Sequence, residues 1–305
     1  MKYVGRFAPS PTGPLHLGSL VTAVASFVHA RQAGGEWLVR VEDIDPPREV
    51  PGAADDILRT LESFELEWDR TVLFQSRRLA AYGAAAESLL SSGRAFRCRC
   101  SRSEIRAAND GESGRYPGTC RELRIAPGDA AVRVRVDAGR VIFDDGVQGA
   151  IDTDLLASLG DYVVMRRDRL PAYHLAVVLD DSEQGVTTIV RGVDLLDSTA
   201  AHIHLQRVLG LDTPLYYHLP VVVNERGQKL SKQTGATAVD PRDGATATRV
   251  LALLGLAVPP ALAGERPGVL WRWAAERWNI ESLRGQRELA HHSVMPLTGP
   301  TDVRQ

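Results

Sequence analysis

The chain has 305 residues, 44% hydrophobic and 24% charged, which is ordinary globular composition and argues against a disordered, collagen-like or coiled-coil protein. Its 36 basic and 38 acidic residues leave a formal net charge of −2, so it lacks the basic surplus of a sequence-indifferent nucleic-acid binder. No stretch has the pattern of a membrane span or a secretory leader, and three cysteines are too few for a disulfide framework, so we expect a cytoplasmic protein.

The first part of the chain predicts the opening of a parallel sheet. Residues 3–7 have the pattern of a strand, and a turn rich in Pro and Gly follows. A helix is predicted from Leu17, because apolar residues recur at helical spacing, and Gly34 and Gly35 end it. A second strand is predicted over residues 36–42, and the order strand, helix, strand is typical of a right-handed crossover.

The rest of the chain predicts a second α/β half that follows an insertion. The pattern changes from residue 95 to residue 169, where all three cysteines and several alternating, strand-like segments lie. The elements predicted outside this insertion are helices over 51–65 and 77–92, β-rich runs at 176–179 and 187–190, a helix over 198–209, a strand over 219–223, and helices over 250–256 and around Trp271, Trp273 and Trp278.

A phosphate site is indicated where the first strand passes into the first helix. Residues 6–19 read RFAPSPTGPLHLGS, and the unpaired N–H groups at the start of a helix suit a phosphate. His16 can donate to that phosphate, and Gly18 lets a flat ligand approach the backbone. For the His-Leu-Gly-Ser segment alone, the alternative is a Pro-rich turn with a structural histidine.

A second phosphate site is indicated by residues 227–233, which read GQKLSKQ. Two of the three lysines in the chain, Lys229 and Lys232, lie here, although arginine is used almost everywhere else. A compact ammonium can stabilise the charge that develops as pyrophosphate leaves. This composition favours a phosphate site over a solvated surface turn.

Together, the two segments resemble the signature motifs of class I aminoacyl-tRNA synthetases, and residues 6–19 resemble the glutamyl-tRNA synthetase subgroup. Ser19 and Gln233 depart from the general motifs, but both changes are similar to those tolerated in the subgroup. The resemblance covers about residues 1–240, because further segments of the subgroup follow in order at 40–45, 171–181, 185–187 and 190–192.

About seventy residues remain after the lysine segment, whereas full glutamyl-tRNA synthetases continue into a long helical anticodon-binding region. This length, together with residues 191–199, is similar to the glutamyl-queuosine tRNA(Asp) synthetase family. The resemblance implies that glutamate is activated with ATP to glutamyl-adenylate, without tRNA, and is transferred to the queuosine base in the anticodon of tRNA(Asp). The alternatives are a short glutamyl-tRNA synthetase that charges the acceptor end of tRNA(Glu), and an inactive synthetase-like paralogue that binds RNA or protein.

The same resemblance implies an α/β fold built on a Rossmann-like class I synthetase catalytic domain. The implied partners are L-glutamate, ATP with Mg²⁺, and the anticodon arm of tRNA(Asp), with no membrane, and we expect a monomer. The resemblance implies a catalytic domain over 1–240 and a short helical C-terminal region over 241–305 without an anticodon-binding domain. Within the catalytic domain, it implies two halves over 1–94 and 170–223, an inserted zinc and RNA-contact region over 95–169, and a lysine loop over 224–240.

The resemblance also implies roles for individual residues. Arginine can pair with carboxylates in bidentate fashion, a glutamate side chain can receive the substrate ammonium, and a tyrosine can supply a hydroxyl and an apolar wall. The implied sets are, for catalysis, His16, Lys229 and Lys232; for glutamate, Arg6, Phe7, Ala8, Pro9, Ser10, Glu42, Tyr173 and Arg191; and for ATP, His16, Gly18, Lys229 and Lys232. We interpret four acidic residues as loop and strand-end groups that orient this pocket, namely Asp43, Asp45, Asp180 and Asp181.

The cysteines form a candidate metal site. Cys98, Cys100 and the distant Cys120 can provide three thiolates of a tetrahedral zinc site, and the alternative is a reduced, partly buried trio. The family resemblance favours zinc and implies Tyr116 as the fourth ligand. With four protein ligands, a single zinc per chain would be structural, because no position stays open for water.

Overall fold

The structure is a computed structural model that describes residues 2–109, 115–137, 139–230, 238–240 and 243–290. In chain order, its strands are β1 (Val4–Phe7), β2 (Glu36–Val41), β3 (Leu73–Phe74), β4 (Ala95–Cys98), β5 (Ala131–Val134), β6 (Arg140–Asp145), β7 (Gly149–Asp154), β8 (Val163–Met165), β9 (Thr188–Gly192), β10 (Leu215–Leu219), β11 (Val221–Val223) and β12 (Glu288–Ala290). Its helices are α1 (Leu17–Gln32), α2 (Ala53–Ser63), α3 (Leu79–Ser91), α4 (Arg102–Ala107), α5 (Leu155–Ser158), α6 (Tyr173–Glu183), α7 (Leu196–Leu209), α8 (Ala245–Leu253) and α9 (Pro267–Arg277).

A three-stranded parallel sheet forms the first half of the fold. Strand β1 pairs with β2 in a register that places Val4 opposite Glu36, and β2 pairs in turn with β3. Helix α1 connects β1 to β2, as the sequence predicted, and begins at the residue that follows His16. The helix packs against the sheet and the C-terminal helices, and its fully buried side chains include Leu20, Val24 and Val28.

The second half is a four-stranded sheet in the order β7, β6, β10, β9. Strands β9, β10 and β6 run parallel, and β6 and β7 form an antiparallel hairpin. Strand β1 lies beside the start of β9, where Thr187 N donates to Val4 O at 2.9 Å. Ligands of open α/β sheets bind beyond the carboxyl ends of the strands, at the point where the strand order reverses. The α/β architecture expected from the sequence is confirmed, and it places a site beyond the ends of β1 and β9.

Residues 95–169 contribute to two sheets. Strands β4, β5 and β8 form a separate antiparallel sheet, next to a small buried cluster that contains Phe96, Cys98, Tyr116 and Cys120. The hairpin of β6 and β7 instead extends the β9–β10 sheet. Strands are thus present where the sequence predicted them, while the proposed domain limits stay a prediction.

Several predicted elements differ from the structure. The apolar run 176–179 is not a strand but lies within α6, because a buried helix and a buried strand are both continuously apolar in sequence. The strand predicted over 219–223 is divided at Pro220, which lacks an N–H, into the end of β10 and all of β11. Trp278 follows the end of α9 rather than lying on it. The structure confirms, as α2, α3 and α7, the helices predicted over 51–65, 77–92 and 198–209.

The C-terminal helices pack against the first half of the fold. Trp271 Nε1 donates to Phe64 O at 2.7 Å, and Trp278 Nε1 donates to His29 Nδ1 at 3.0 Å. Gln32 Nε2 at the end of α1 donates to Trp278 O at 2.6 Å. These contacts make α9 part of the core around α1, to which α8 contributes Ala247, Val250 and Leu251. Within the described ranges, no helix combines the length and the apolar character needed to cross a lipid bilayer.

A buried carboxylate joins α6 to α3. The sequence interpretation placed Asp180 at a strand end, but it lies on α6 and is fully buried. Its oxygens accept hydrogen bonds from Gln75 Nε2 at 2.8 Å, Arg78 Nε at 2.7 Å and Tyr82 OH at 2.7 Å. A buried charge is tolerated only where such partners satisfy it.

We predict that Asp180→Ala lowers the free energy of unfolding by about 3 kcal/mol, because two buried donors and a partly buried guanidinium lose their acceptor. Denaturant unfolding measures this change. The matched control is Glu183→Ala, which removes an exposed carboxylate from the same helix and should leave stability nearly unchanged. Equal stabilities for the two variants would contradict the assignment of Asp180.

Candidate active site

The turn that leads into α1 at His16, called the His16 turn below, meets the lysine loop in space. Leu230 N donates to Val222 O at 2.7 Å, and the Leu230 carbonyl oxygen would lie 3.6 Å from a methyl group placed on Gly18. At the far end of the loop, Val239 N donates to Leu15 O at 3.0 Å. Leu230 and Val239, on the two described parts of the loop, are therefore fixed beside the start of α1.

A cavity of about 130 Å³ lies between these two segments. Lys229 Nζ lies at the cavity and contacts Asp194 Oδ2 at 2.6 Å. Asp194 was missed by sequence reasoning, because only the fold brings the segment after β9 to the lysine loop. Lys232, the second predicted lysine, lies outside the described residues. The cavity lining includes His16, Gly18, Thr22, Gly192, Asp194 and Lys229.

His16 serves the fold as well as the site. Its Nδ1 accepts a hydrogen bond from Ser19 N at 3.3 Å and thereby caps α1, and its Nε2 lies 3.1 Å from Ser19 Oγ. A methyl group on Gly18 would approach the His16 ring to 3.3 Å, so glycine keeps this turn compact. His16 thus caps α1 and also lines the smaller cavity.

A larger cavity of about 710 Å³ opens beyond the ends of β1 and β2. Ser10, Glu42 and Tyr173 line it on one side, and Cys100 and Ser101, from the cysteine-containing region, line it as well. Pockets of roughly 300–1,000 Å³ hold ligands of drug size, so this cavity has room for more than an amino acid. Its lining carries five arginines, Arg48, Arg102, Arg133, Arg166 and Arg167, and three carboxylates, Glu42, Asp45 and Asp168, of which Asp45 pairs with Arg48 and Arg166.

A buried ion-pair network lies behind Glu42. Asp181 Oδ1 accepts from Arg6 Nε at 3.1 Å and from Arg40 Nη1 at 2.7 Å, and Arg40 Nη2 donates to Glu42 Oε1 at 3.3 Å. Asp181 was placed at a strand end from the sequence but lies on α6. Burial acts to raise the pKa of Asp181, yet Arg40 and Arg6 outweigh it and lower that pKa. Arg40 was missed by sequence reasoning, although a charged residue within a buried strand was the available signal.

Arg191 and Tyr173 lie together at the site. Arg191, near the end of β9, is 3% exposed, and its Nη1 donates to the hydroxyl oxygen of Tyr173 at 3.3 Å. Tyr173 is the first residue of α6. Burial raises the pKa of Tyr173, so its hydroxyl stays neutral at physiological pH. The structure thus places Glu42 and Tyr173 on one cavity and Arg191 against Tyr173.

The remaining residues predicted for the glutamate pocket differ in what they can offer. The side chain of Phe7 belongs to the core and stacks on Trp37, with ring centroids 6.4 Å apart, so a ligand can use only the Phe7 backbone. Ala8 and Pro9 are half-buried, and Pro9 O accepts from Glu42 N at 2.9 Å. This hydrogen bond ties the turn after β1 to the end of β2.

The three cysteines and Tyr116 converge at one point. The Sγ atoms of Cys98, Cys100 and Cys120 lie within 4.8 Å of one another, and Tyr116 OH lies 3.4 Å from Cys98 Sγ and 3.7 Å from Cys100 Sγ. In a tetrahedral zinc site with Zn–S bonds of about 2.3 Å, the ligand atoms are about 3.8 Å apart, so these four donors fit one zinc ion. Burial raises the pKa of the Cys100 thiol to about 11, so a cation is needed to hold it as a thiolate at neutral pH.

The strand order, the His16 turn and the lysine loop together define the catalytic domain of a class I tRNA synthetase. The family model described as "tRNA synthetases class I (E and Q), catalytic domain" matches residues 2–250. The chain is also similar to a crystal structure of a glutamate tRNA ligase from Elizabethkingia meningosepticum in complex with its amino acid, with a TM-score of 0.80 and 25% identity over 96% of this chain and 68% of that chain. A glutamate-tRNA synthetase from Elizabethkingia anophelis, 24% identical, shares the fold with a TM-score of 0.78 over 94% of this chain and 68% of that chain.

Curated relatives identify the family within the class I synthetases to which the chain belongs. The chain is 52% identical over 291 residues to the glutamyl-Q tRNA(Asp) synthetase of Dechloromonas aromatica, with 93% of this chain and 96% of the relative covered. It is 54% identical over 285 residues to the protein of the same name from Chromobacterium violaceum, with 92% and 95% covered. The chain therefore belongs to the glutamyl-Q tRNA(Asp) synthetase family, whose members are ligases. The resemblance drawn from its motifs is confirmed.

We predict that Glu42→Gln raises the Tm of the unliganded protein at pH 7.5 by about 2 °C. Burial raises the pKa of Glu42 against the opposing effect of Arg40 and Arg6. A carboxyl group with a raised pKa in the folded state stabilises the fold only at low pH, and this stability is lost as pH rises through the folded-state pKa. The difference between variant and wild type should therefore shrink as pH falls towards 4.

Thermal unfolding across this pH range tests the prediction. The control is Glu67→Gln, which alters an exposed carboxylate and should show no pH-dependent difference. A Glu42→Gln protein that is less stable than wild type at pH 7.5 would show that the ion pair with Arg40 outweighs burial.

Proposed function

We propose that this chain activates L-glutamate with ATP to glutamyl-adenylate, without tRNA, and transfers the glutamate to the queuosine base in the anticodon of tRNA(Asp). The observation that carries the proposal is the meeting of the His16 turn and the lysine loop at one cavity, while Ser10, on the same segment between β1 and α1, lines the Glu42 and Tyr173 cavity. The names of the relatives, which are 52% and 54% identical over nearly the whole chain, support the same activity.

In the first step, an oxygen of the glutamate α-carboxylate attacks the α-phosphorus of ATP. The bond from the α-phosphorus to the bridging oxygen breaks, and pyrophosphate leaves with the bond electrons. His16, Lys229 and Lys232 stabilise the charge on the phosphates, which Mg²⁺ bound to ATP helps to neutralise. Glu42 receives the substrate ammonium, and Arg6 and Arg191 attract the carboxylates.

In the second step, a hydroxyl of the queuosine cyclopentenediol attacks the carbonyl carbon of the adenylate. An ester bond forms, the bond from the carbonyl carbon to the phosphate oxygen breaks, and AMP leaves while the hydroxyl proton passes to solvent. The larger cavity suits this step, because it has room for a nucleoside beside the amino acid. Its arginine-rich lining can bind RNA phosphates locally on a chain whose net charge is −2.

The proposed transfer of glutamate to queuosine is tested by measuring the incorporation of labelled glutamate into purified tRNA. We expect labelling of tRNA(Asp) that contains queuosine, and none of tRNA(Asp) isolated from cells unable to make queuosine. Purified tRNA(Glu) serves as the second substrate in the same assay. Labelling of tRNA(Glu), or labelling of tRNA(Asp) that ignores queuosine, would overturn the proposed acceptor.

We further propose that the ligands of one structural zinc ion are Cys98, Cys100, Tyr116 and Cys120. The converging donors support this assignment, and the bound ion would cross-link β4 to the segment around residues 116–120. Four protein ligands leave no open position, so the zinc would act on stability and on the shape of the cavity wall at Cys100.

We predict about one zinc per chain by elemental analysis and its loss in Cys98→Ser, together with a lower Tm. The matched control is Ser103→Ala, an exposed neighbour of the cluster, which should retain zinc. A wild-type protein that is fully folded and free of metal would contradict the assignment of these four residues as zinc ligands.

A further inference from the structure

Arg191 differs from the other buried arginines of the site in how its charge is balanced. Arg6 and Arg40 both form direct ion pairs with Asp181. Within the part of the chain that the structure describes, no carboxylate forms a direct ion pair with Arg191, although its side chain is buried. Neutral groups surround its guanidinium instead: Nη1 contacts Tyr173 OH and His202 Nδ1, each at 3.3 Å, and Nη2 donates to Thr199 Oγ1 at 2.8 Å and Leu195 O at 3.2 Å.

The fifth donor of Arg191 leads to a buried carboxylate through an imidazole. Arg191 Nε donates to His218 Nε2 at 3.0 Å, and His218 Nδ1 lies 2.6 Å from Asp145 Oδ2. Asp145 is in turn fixed by the turn after β6, because its Oδ1 accepts from Val147 N at 3.0 Å and from Gln148 N at 2.8 Å. The side chains of Asp145 and His218 are both fully buried. A continuous hydrogen-bonded series thus runs from Asp145 through His218 and Arg191 to Tyr173.

The charge states of this series follow from their surroundings. Burial lowers the pKa of His218 and outweighs the raising effect of Asp145, so the imidazole is neutral at physiological pH. Burial acts to raise the pKa of Asp145, but the hydrogen bonds from His218 and the backbone outweigh it and lower that pKa. The ionised carboxylate therefore requires a proton on His218 Nδ1, which leaves His218 Nε2 as the acceptor for Arg191. The positive charge of Arg191 is therefore balanced by the carboxylate of Asp145 through the neutral His218 imidazole, and not by a direct ion pair.

We propose that Asp145 and His218 are positioning residues for glutamate, which hold the Arg191 guanidinium beside Tyr173 with its charge available to a substrate carboxylate. This inference rests on the proposed function, because it takes Arg191 and Tyr173 as part of the glutamate pocket. Arg191 Nη1 makes the two longest contacts, both 3.3 Å, so a carboxylate can recruit this nitrogen while Nε and Nη2 keep their partners. Arg40, whose two Nη atoms both contact carboxylates, has no comparable capacity.

If Asp145 and His218 position Arg191, their substitution should weaken the binding of glutamate but not the binding of ATP. In glutamate-dependent pyrophosphate exchange, we expect Asp145→Asn to raise the KM for glutamate about tenfold, because a charge-assisted hydrogen bond that orients His218 is lost. The KM for ATP should stay within about twofold of wild type. Calorimetric titration of glutamate without ATP should show the same loss of affinity.

Two substitutions at His218 separate positioning from packing. In His218→Gln, the side-chain oxygen can still accept from Arg191 Nε, whereas His218→Phe fills the space without an acceptor. We expect the glutamate KM to rise in the order wild type, Gln variant, Phe variant, with Tm values that do not follow this order. The control is Asp144→Asn, an exposed neighbour on β6, which should behave like wild type.

The outcomes distinguish this inference from the proposed function. Absence of glutamate-dependent exchange in the wild-type protein would overturn the proposed function itself. Exchange in the wild type with unchanged glutamate KM and affinity in folded Asp145→Asn and His218→Phe would overturn the positioning role. Parallel losses for glutamate and ATP that track the Tm would also overturn it, and if Asp145→Asn fails to fold, the His218 pair decides.

Discussion

The shared carboxylate of Asp181 holds the centre of the site together. It accepts from Arg6 on β1 and Arg40 on β2, so one buried side chain of α6 fixes the ends of two parallel strands. Removing two guanidinium groups and a carboxylate from water is costly, and the cost is met only if their geometry stays fixed. The position of Glu42, which pairs with Arg40 just beyond the end of β2, depends on this arrangement.

The two cavities divide the site by chemistry. The smaller one lies between the start of α1 and the lysine loop and presents a histidine, a glycine and a lysine. The larger one lies between the strand ends and the cysteine-containing region and presents Glu42, Tyr173 and several arginines. The groups proposed to bind triphosphate and those proposed to bind an amino acid or a nucleoside thus line different cavities. This division suits a reaction in which three substrates meet in sequence.

Most of the first half of the fold could be predicted from the sequence, because its signals are local. Helix α1 has apolar residues at helical spacing and a glycine stop, and the β1 and β2 strands flank it. The prediction for residues 176–179 was wrong because α6 is buried on nearly every side, so periodicity gave no evidence of a helix. The distant partners of Arg40 and Asp194 could not be assigned for another reason: Asp181 is 141 residues from Arg40, Lys229 is 35 residues from Asp194, and only the fold brings them together.

The motifs predicted the family better than they predicted individual contacts. The His16 turn and the lysine loop meet in space, but Phe7 points into the core, and Lys232 lies outside the described residues. A motif specifies that a residue belongs to a segment, whereas the direction of its side chain depends on packing against distant elements. Trp37, which stacks on Phe7, is such an element.

The adjacency of β1 and β9 has a consequence for the order of events during synthesis. Val4 on the first strand is hydrogen-bonded to Thr187, and Leu15 is hydrogen-bonded to Val239. Residues that complete the site therefore leave the ribosome long after its first residues. At about 5–20 residues per second, the nascent chain waits on the order of ten seconds or more between these segments. During that time, the exposed edge of β1 and the apolar face of α1 lack their partners, and the amino-terminal half depends on the growing chain, or on a chaperone, to avoid aggregation.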